Sequence, residues 1–168
     1  GEKVLVERIN ILGNNITNEA VIRSEMEIDE GDPFTNLSLD KSIAKLKARN
    51  IFRSVKSDVV SGSKKNLKII DILIEEKPTG EISAGAGVGT NGGTLAFNIT
   101  ENNWLGEGRQ VGLDFELSEE SLKGQFTYTN PNYDFLGNSV SYNLRNTTND
   151  KPDQGYENSI FAIGASTG

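Results

Sequence analysis

Residues 75–100 read EEKPTGEISAGAGVGTNGGTLAFNIT, and the chain on either side of this stretch follows different rules. Ahead of it, short β-prone runs mix with helical periodicity. Within and after it, apolar residues fall on every second position. Ile82, Ala84, Ala86 and Val88 alternate with Ser83, Gly85, Gly87 and Gly89. After the turn signal Asn91-Gly92-Gly93, Leu95, Phe97 and Ile99 alternate with Ala96, Asn98 and Thr100. A period of two puts one class of side chain on each face of a strand. The stretch therefore predicts a β-hairpin that opens a β-rich second half.

Further along, Val111, Leu113, Phe115 and Leu117 alternate in the same way, as do Phe126 and Tyr128, and then Val140, Tyr142 and Leu144. A sixth run, at about 156–166, is strand-like with ambiguous facing. In a soluble sandwich such an apolar face is a core; in an outer-membrane barrel it meets lipid while the polar face lines a wet lumen. Alternation does not choose between them, although strands of about nine residues suit a membrane span. Two turns repeat: Asn103-Trp104-Leu105-Gly106 and Asp134-Phe135-Leu136-Gly137 set Leu-Gly 31 residues apart. Trp104, Tyr133 and Phe135 then fall at one end of the hairpins, as in an aromatic girdle, or as plain turn anchors.

Working backwards, the first half predicts β-α-α-β-β. Val4, Val6 and Ile9 lie in an opening strand that ends at Gly13-Asn14-Asn15. Thr17 reads as the N-cap of a helix from Glu19 to about Glu25. The acidic stretch 25–32, with Gly31 and Pro33, reads as a loop. Ser38 reads as the N-cap of a second helix over 39–49, with Leu39, Ile43 and Leu46 on its buried stripe and Lys41, Lys45 and Arg49 on its wet one. Asn50 is placed to end it. Strands over 54–60 and 67–75 flank the hairpin loop Ser61-Gly62-Ser63. Two helices on one face of a three-stranded sheet make a sensible two-layer domain.

Charge supports a boundary near residue 80. Residues 1–80 are neutral overall, whereas residues 81–168 carry the whole net charge of −7. An acidic second half argues against nucleic acid as a partner. Cys and His are absent, which excludes disulfides, thiol nucleophiles, His–Cys zinc sites and His-based acid–base chemistry. No signal peptide and no transmembrane helix are expected, and both ends look like those of an excised fragment. From Lys41 to Lys68 there are nine basic groups and one acidic group, Asp58. That run is either a solvated face balancing the acidic loop or a docking surface for acidic partners or lipid head groups.

Two motifs are set aside. Gly87-Val88-Gly89-Thr90-Asn91-Gly92 matches G-x-G-x-x-G, but a dinucleotide site needs a helix next, and alternating Leu95, Phe97 and Ile99 follow instead. Asp114 and Glu116 share a strand face as a carboxylate pair would, yet charged lumen residues explain them better.

Beyond these readings lies a resemblance. Residues 11–17 (ILGNNIT), Val21-Ile22-Arg23, Gly31-Asp32-Pro33-Phe34 and residues 46–52 (LKARNIF) resemble a POTRA (polypeptide transport-associated) domain. Residues 75–80 (EEKPTG), 85–89 (GAGVG), 103–108 (NWLGEG) and Thr129-Asn130-Pro131 resemble the start of the barrel in the BamA family of outer-membrane assembly factors. The resemblance implies an α+β POTRA domain over residues 1–78. It is followed over 79–168 by the first antiparallel strands of an incomplete transmembrane β-barrel. It implies a non-enzymatic role, without cofactor or metal, in folding and inserting β-barrel proteins into the bacterial outer membrane. Implied partners are unfolded outer-membrane proteins, accessory periplasmic lipoproteins and outer-membrane lipid, with the POTRA domain in the periplasm. The first barrel strand, 81–90, is expected to form a lateral seam through Ile82, Ser83, Ala84, Gly85, Ala86, Gly87 and Val88. Lys41, Lys45 and Arg49 are expected to dock partners. Alternatives are a TamA-like or two-partner secretion transporter, or a soluble β-rich binding module.

Overall fold

The structure is a computed structural model and describes residues 3–89 and 92–168. The chain divides into two compact units: residues 1–78 with 105–107, and residues 79–104 with 108–168.

The first unit runs β1 (Leu5–Leu12), α1 (Glu19–Ser24), α2 (Asn36–Ala48), β2 (Phe52–Ser61) and β3 (Leu67–Glu76), the expected β-α-α-β-β order. Its sheet has the order β1-β3-β2, with β1 parallel and β2 antiparallel to β3. A parallel pair needs a crossover, and the two helices supply it. Ile70, Ile72 and Ile74 on central β3 form the floor of the core, with Val6 and Ile9 from β1 and Val55 from β2 beside them. Ile22, Leu39 and Leu46 from the helices close it. The β1–β3 register shifts between Val6 and Arg8. That bulge lets Val6 and Ile9, of opposite parity, both face inward.

Both expected helix caps move. The N-cap of α1 is Asn18, whose side chain accepts from Ala20 N–H at 2.9 Å, not Thr17. Thr17 is buried and bonded to Glu76 instead. The N-cap of α2 is Thr35, which accepts from Ser38 N–H at 3.1 Å; Ser38 lies in the first turn. Both replacements are cap-type residues, and extended backbone at Asn18 and Thr35 decides between neighbours of similar chemistry. Asn50 follows α2 in the left-handed region at φ 55°, as a helix-ending asparagine does. The stripe of α2 is Leu39, Ser42 and Leu46, with Ile43 only partly buried. Ser42 Oγ donates to Ser38 O and accepts from Glu27 N–H, both at 2.8 Å, tying the acidic loop to the helix.

The second unit is a six-stranded antiparallel meander: β4 (Gly80–Gly89), β5 (Gly92–Trp104), β6 (Arg109–Ser118), β7 (Ser121–Asn130), β8 (Val140–Lys151) and β9 (Tyr156–Thr167). The expected strand 81–90 is Gly80–Gly89; Thr90 lies outside the described residues, as does Asn91 of the expected turn. A strand, not a helix, follows the glycine-rich motif, which removes the dinucleotide reading. The registers line up apolar residues across all six strands, as in Ile82, Ile99, Leu113, Phe126, Leu144 and Ile163. On the opposite face the row is Ser83, Asn98, Asp114, Gln125, Arg145 and Ala162. The facing of β9, open in the sequence, is thereby settled: Phe161 and Ile163 join the apolar face. The sheet is a single open layer with β4 and β9 at its edges, so a barrel is not closed within this chain. Among the described residues, every member of the buried hydrophobic core belongs to the first unit. No helix among the described residues is long and apolar enough to cross a membrane, which says nothing of strands.

Candidate functional site

Among the described residues β4 pairs with β5 alone, through ten residue pairs from Gly80 opposite Glu101 to Gly89 opposite Gly92. Its other edge presents a row of backbone donors and acceptors with no strand beside it. The seven residues expected at the seam lie on this strand and are all exposed. Ile82, Ala84, Ala86 and Val88 share the apolar face, and Ser83, Gly85 and Gly87 the polar one. Ile82 is 77% exposed and Val88 93%.

The two faces hold β4 to β5 unequally. On the apolar face Ile82 meets Ile99, Ala84 meets Phe97 and Ala86 meets Leu95. On the polar face Gly85 meets Ala96, Gly87 meets Thr94 and Gly89 meets Gly92. Cross-strand side-chain pairs supply much of a sheet's stability, and beyond Glu81–Thr100 and Ser83–Asn98 the polar face of this hairpin has none from Gly85 to Gly89. The next strands are tied far better. Asn98 donates to Asp114 at 2.6 Å, Lys123 to Glu116 at 2.8 Å and Arg145 to Gln125 at 3.0 Å. Asp114 and Glu116 are thus occupied in cross-strand pairs rather than poised as an acid–base couple. An open concavity of about 650 Å³ lies over this face, lined by Gly85, Ala96, Asp114, Glu116, Lys123 and Arg145 among others.

The base of β4 is braced. Asn102 N–H donates to Thr79 O at 3.1 Å, Thr79 hydroxyl donates to Glu101, and Asn103 N–H donates to the same carboxylate at 2.7 Å. A register shift between Glu101 and Trp104 accommodates these bonds. Leu105–Glu107 belong to the first unit: Gly106 O accepts from Asn18 N–H at 2.8 Å. A Cβ on Gly106 would fall 2.1 Å from Ile16 O, so only glycine fits. Glu76 Oε1 in turn accepts from Thr17 N–H at 2.9 Å, fixing the loop that makes this contact. Sequence reasoning did not find Glu76, because its partners lie 59 and 60 residues away.

The expected docking stripe divides. Lys41 is exposed. Lys45 pairs with Glu27 at 2.5 Å, which holds the Glu27 carboxyl below its ordinary range through the hydrogen bond and the charge of Lys45. Arg49 pairs with Glu25 at 3.4 Å, with only 13% and 12% of the two side chains exposed. Desolvation lowers the Arg49 pKa, and Glu25 opposes that. Arg49 is therefore a partly buried structural cation rather than part of a wet stripe, and two of the three charges balance the acidic loop.

The edges of the first sheet also differ. β1 is covered along its outer side: Val6 N–H donates to Asp32 O at 2.9 Å, Gly31 N–H to Val6 O at 2.7 Å and Phe34 N–H to Val4 O at 2.9 Å. Ile9 N–H donates to Glu30 and Arg23 to Ile9 O, both at 3.0 Å. Among the described residues β2 has β3 on one side and no strand on the other.

Comparison with known proteins bears on the family and the fold. Residues 4–77 match the POTRA family, described as a surface antigen variable number repeat. The outer membrane protein assembly factor BamA of Neisseria meningitidis serogroup B is 27% identical over 86% of this chain, which covers 18% of that protein. BamA of Nitratidesulfovibrio vulgaris is 28% identical over 77% of the chain and 17% of its own length. A crystal structure of Haemophilus ducreyi BamA lacking POTRA domains 1–3 matches with a TM-score of 0.82 over 99% of this chain and 32% of that one, at 24% identity. That match is of the fold. The chain spans about a sixth of the length of these curated relatives. Residues 4–77 are therefore a POTRA domain, and the chain is a homologue of the BamA outer membrane protein assembly factors.

Proposed function

We propose that this chain is part of an outer-membrane insertase, that its six-stranded sheet is the opening portion of a membrane β-barrel, and that β4 is one side of a lateral seam where substrate strands enter. One observation carries this reading: a single-layer sheet displays a continuous apolar face and has no core of its own. In water such a face is an aggregation liability or a partner's site. Against lipid it is satisfied, and the polar face with its ion pairs becomes the wet lumen. Strands of 10–13 residues are long enough to cross the bilayer.

In lipid each unsatisfied backbone group costs several kcal/mol, so the open edge of β4 must pair. Its bare polar face makes that pairing weak. A strand that must pair yet pairs weakly suits exchange between the barrel's own closing strand and a strand of an unfolded outer-membrane protein, by β-augmentation. No covalent step is involved, and no cofactor is needed. The POTRA domain lies in the periplasm and receives unfolded chains, for which the open edge of β2 offers a pairing surface. Lys41 and Lys45, beside the partly buried Arg49, offer a face for accessory lipoproteins. The test is a set of single cysteines along 82–88 in the full-length protein, crosslinked to a stalled substrate. Crosslinks in one strand register are expected. Crosslinks confined to 140–145 would place the seam elsewhere.

A further inference from the structure

The glycines of the large sheet are not surrounded alike. Gly112, Gly124 and Gly164 are each approached by the side chain paired directly across from them: Thr127, Phe115 and Asn143. A Cβ built on Gly124 would stand 3.5 Å from the Phe115 ring, in ordinary contact. On Gly164 it would stand 2.1 Å from Asn143 Oδ1, in space that side chain already fills. A cross-strand side chain thus stands in for each missing β-carbon, as aromatic residues rescue strand glycines. Gly85, Gly87 and Gly89, and Gly93 at the start of β5, break this pattern, because nothing among the described residues lies within 4 Å of their missing β-carbons; the three on β4 share its polar face. Their partners Ala96, Thr94 and Gly92 are too short to reach over. The remaining side from which cover could come is the open edge of β4.

We propose that the open edge of β4 selects substrate strands that carry large, polar-tipped side chains (Tyr, Asn or Gln) at two successive polar-face positions, opposite Gly85 and Gly87. This rests on the reading of β4 as the seam, and it names which strands the seam takes. The two positions follow from the period of a strand, which returns every second residue to one face. Size is required because glycine offers no side chain to meet halfway. A polar tip is required because Ser83, Asn98 and the Glu116–Lys123 pair share this face. The polar-face glycines already covered in this sheet are covered by Thr127 and Asn143, whereas Phe115 serves on the apolar face. On that apolar face Ala84 and Ala86 present only methyl groups and discriminate little by size. A strand without the two large residues gains the backbone ladder alone, so it is held loosely and exchanged.

The test uses the full-length protein in lipid vesicles with Ala84→Cys as a trap. The probes are two synthetic alternating strands of about 11 residues, each with one cysteine. They are identical except for Tyr or Ala at the two successive polar-face positions. At sub-saturating peptide the Tyr strand is expected to give about 2- to 30-fold more disulfide than the Ala strand, the range for two cross-strand pairs. Gly87→Phe fills one bare position from β4 itself and should shrink that advantage. Equal yields from the two strands on the otherwise unaltered protein would overturn the selection while leaving the seam in place. Failure of both strands to crosslink would overturn the seam and the selection together.

Discussion

Asn103 Oδ1 accepts a hydrogen bond from Gly108 N–H at 2.8 Å, and Asn132 Oδ1 does the same from Gly137 N–H at 2.9 Å, each across five residues. The repeated Leu-Gly element is therefore a repeated turn device. Each asparagine braces a turn that holds a bulky residue in the left-handed region, Leu105 at φ 55° and Phe135 at φ 61°. That conformation costs a non-glycine residue about 1–2 kcal/mol, so the turn needs its brace. Asn103 is only 4% exposed, whereas the Asn132 bond is at the surface. Asn103→Ala should cost about 1–3 kcal/mol and Asn132→Ala less than about 1 kcal/mol. Urea unfolding in detergent micelles measures both, and equal costs would show that burial does not set the strength of this brace.

The core and the apolar sheet face separate cleanly in sequence, which gives a second prediction. A fragment of residues 1–78 contains every residue of the buried core and should unfold cooperatively in plain buffer. A fragment of residues 79–168 exposes Phe97, Phe115, Phe126 and Phe161 on one face and should need detergent to stay monodisperse. Light scattering decides it. A monodisperse second fragment in plain buffer would favour a soluble β-rich module over barrel strands.

How far the sequence could be read depends on the range of the interaction involved. Phe97, Phe115 and Phe126 were assignable to one face, and Asn98, Asp114 and Gln125 to the other, because a period of two is local. The facing of 156–166 was not assignable, since Ile160, Phe161, Ala162 and Ile163 run together and only the pairing of Leu144 with Ile163 orients them. Lys41, Lys45 and Arg49 recur every fourth residue and look equivalent. The acidic loop that puts Glu25 beside Arg49 is separated from Arg49 by the whole of α2 and leaves no local mark. The glycines of β4 were visible, but their lack of cover required the register to Ala96 and Thr94.

Facing gives the third prediction. Phe115 lies on the apolar face, paired with Phe97 and Gly124, and Asp114 lies on the polar face, bonded to Asn98. Phe115→Arg in the full-length protein should destabilise the membrane-inserted state by about 2–4 kcal/mol if the residue sits near mid-bilayer. Asp114→Asn keeps a polar group in a wet lumen and should be mild. Unfolding titrations in lipid vesicles compare them, and equal effects would contradict the assigned faces.

The basic stripe needs variants chosen by environment. Arg49→Ala removes the nearly covered Arg49–Glu25 pair and should cost roughly 3 kcal/mol of POTRA stability, whereas Lys41→Ala should stay within about 0.5 kcal/mol. A docking test should therefore reverse Lys41 and Lys45 and leave Arg49 intact. Lys45 also leaves a signature in acid. It holds Glu27 below the ordinary value of 4.5, so the pair's contribution is present above that value and fades as pH falls through the lower folded one. Lys45→Gln should return Glu27 towards 4.5, read by NMR titration of its carboxyl carbon. An unchanged Glu27 titration would deny the pair any role in solution.

The seam makes the most demanding prediction, because backbone direction alternates along a strand. In an antiparallel ladder successive residues turn their N–H and C=O groups to opposite neighbours. From Ile82 to Val88, one parity of β4 therefore bonds to β5 and the other faces the open edge. Proline removes a single donor, so a proline scan of these seven positions should divide by parity. One set, with its donors in the β4–β5 ladder, should weaken the hairpin and lower the stability of the folded sheet. The other set should leave hairpin stability nearer the unaltered protein and impair substrate insertion instead. The two readouts, unfolding in detergent and insertion of a substrate barrel into vesicles, should thus be out of phase along the strand. Insertion defects that track stability at every position would mean that the open edge of β4 is never offered to a substrate.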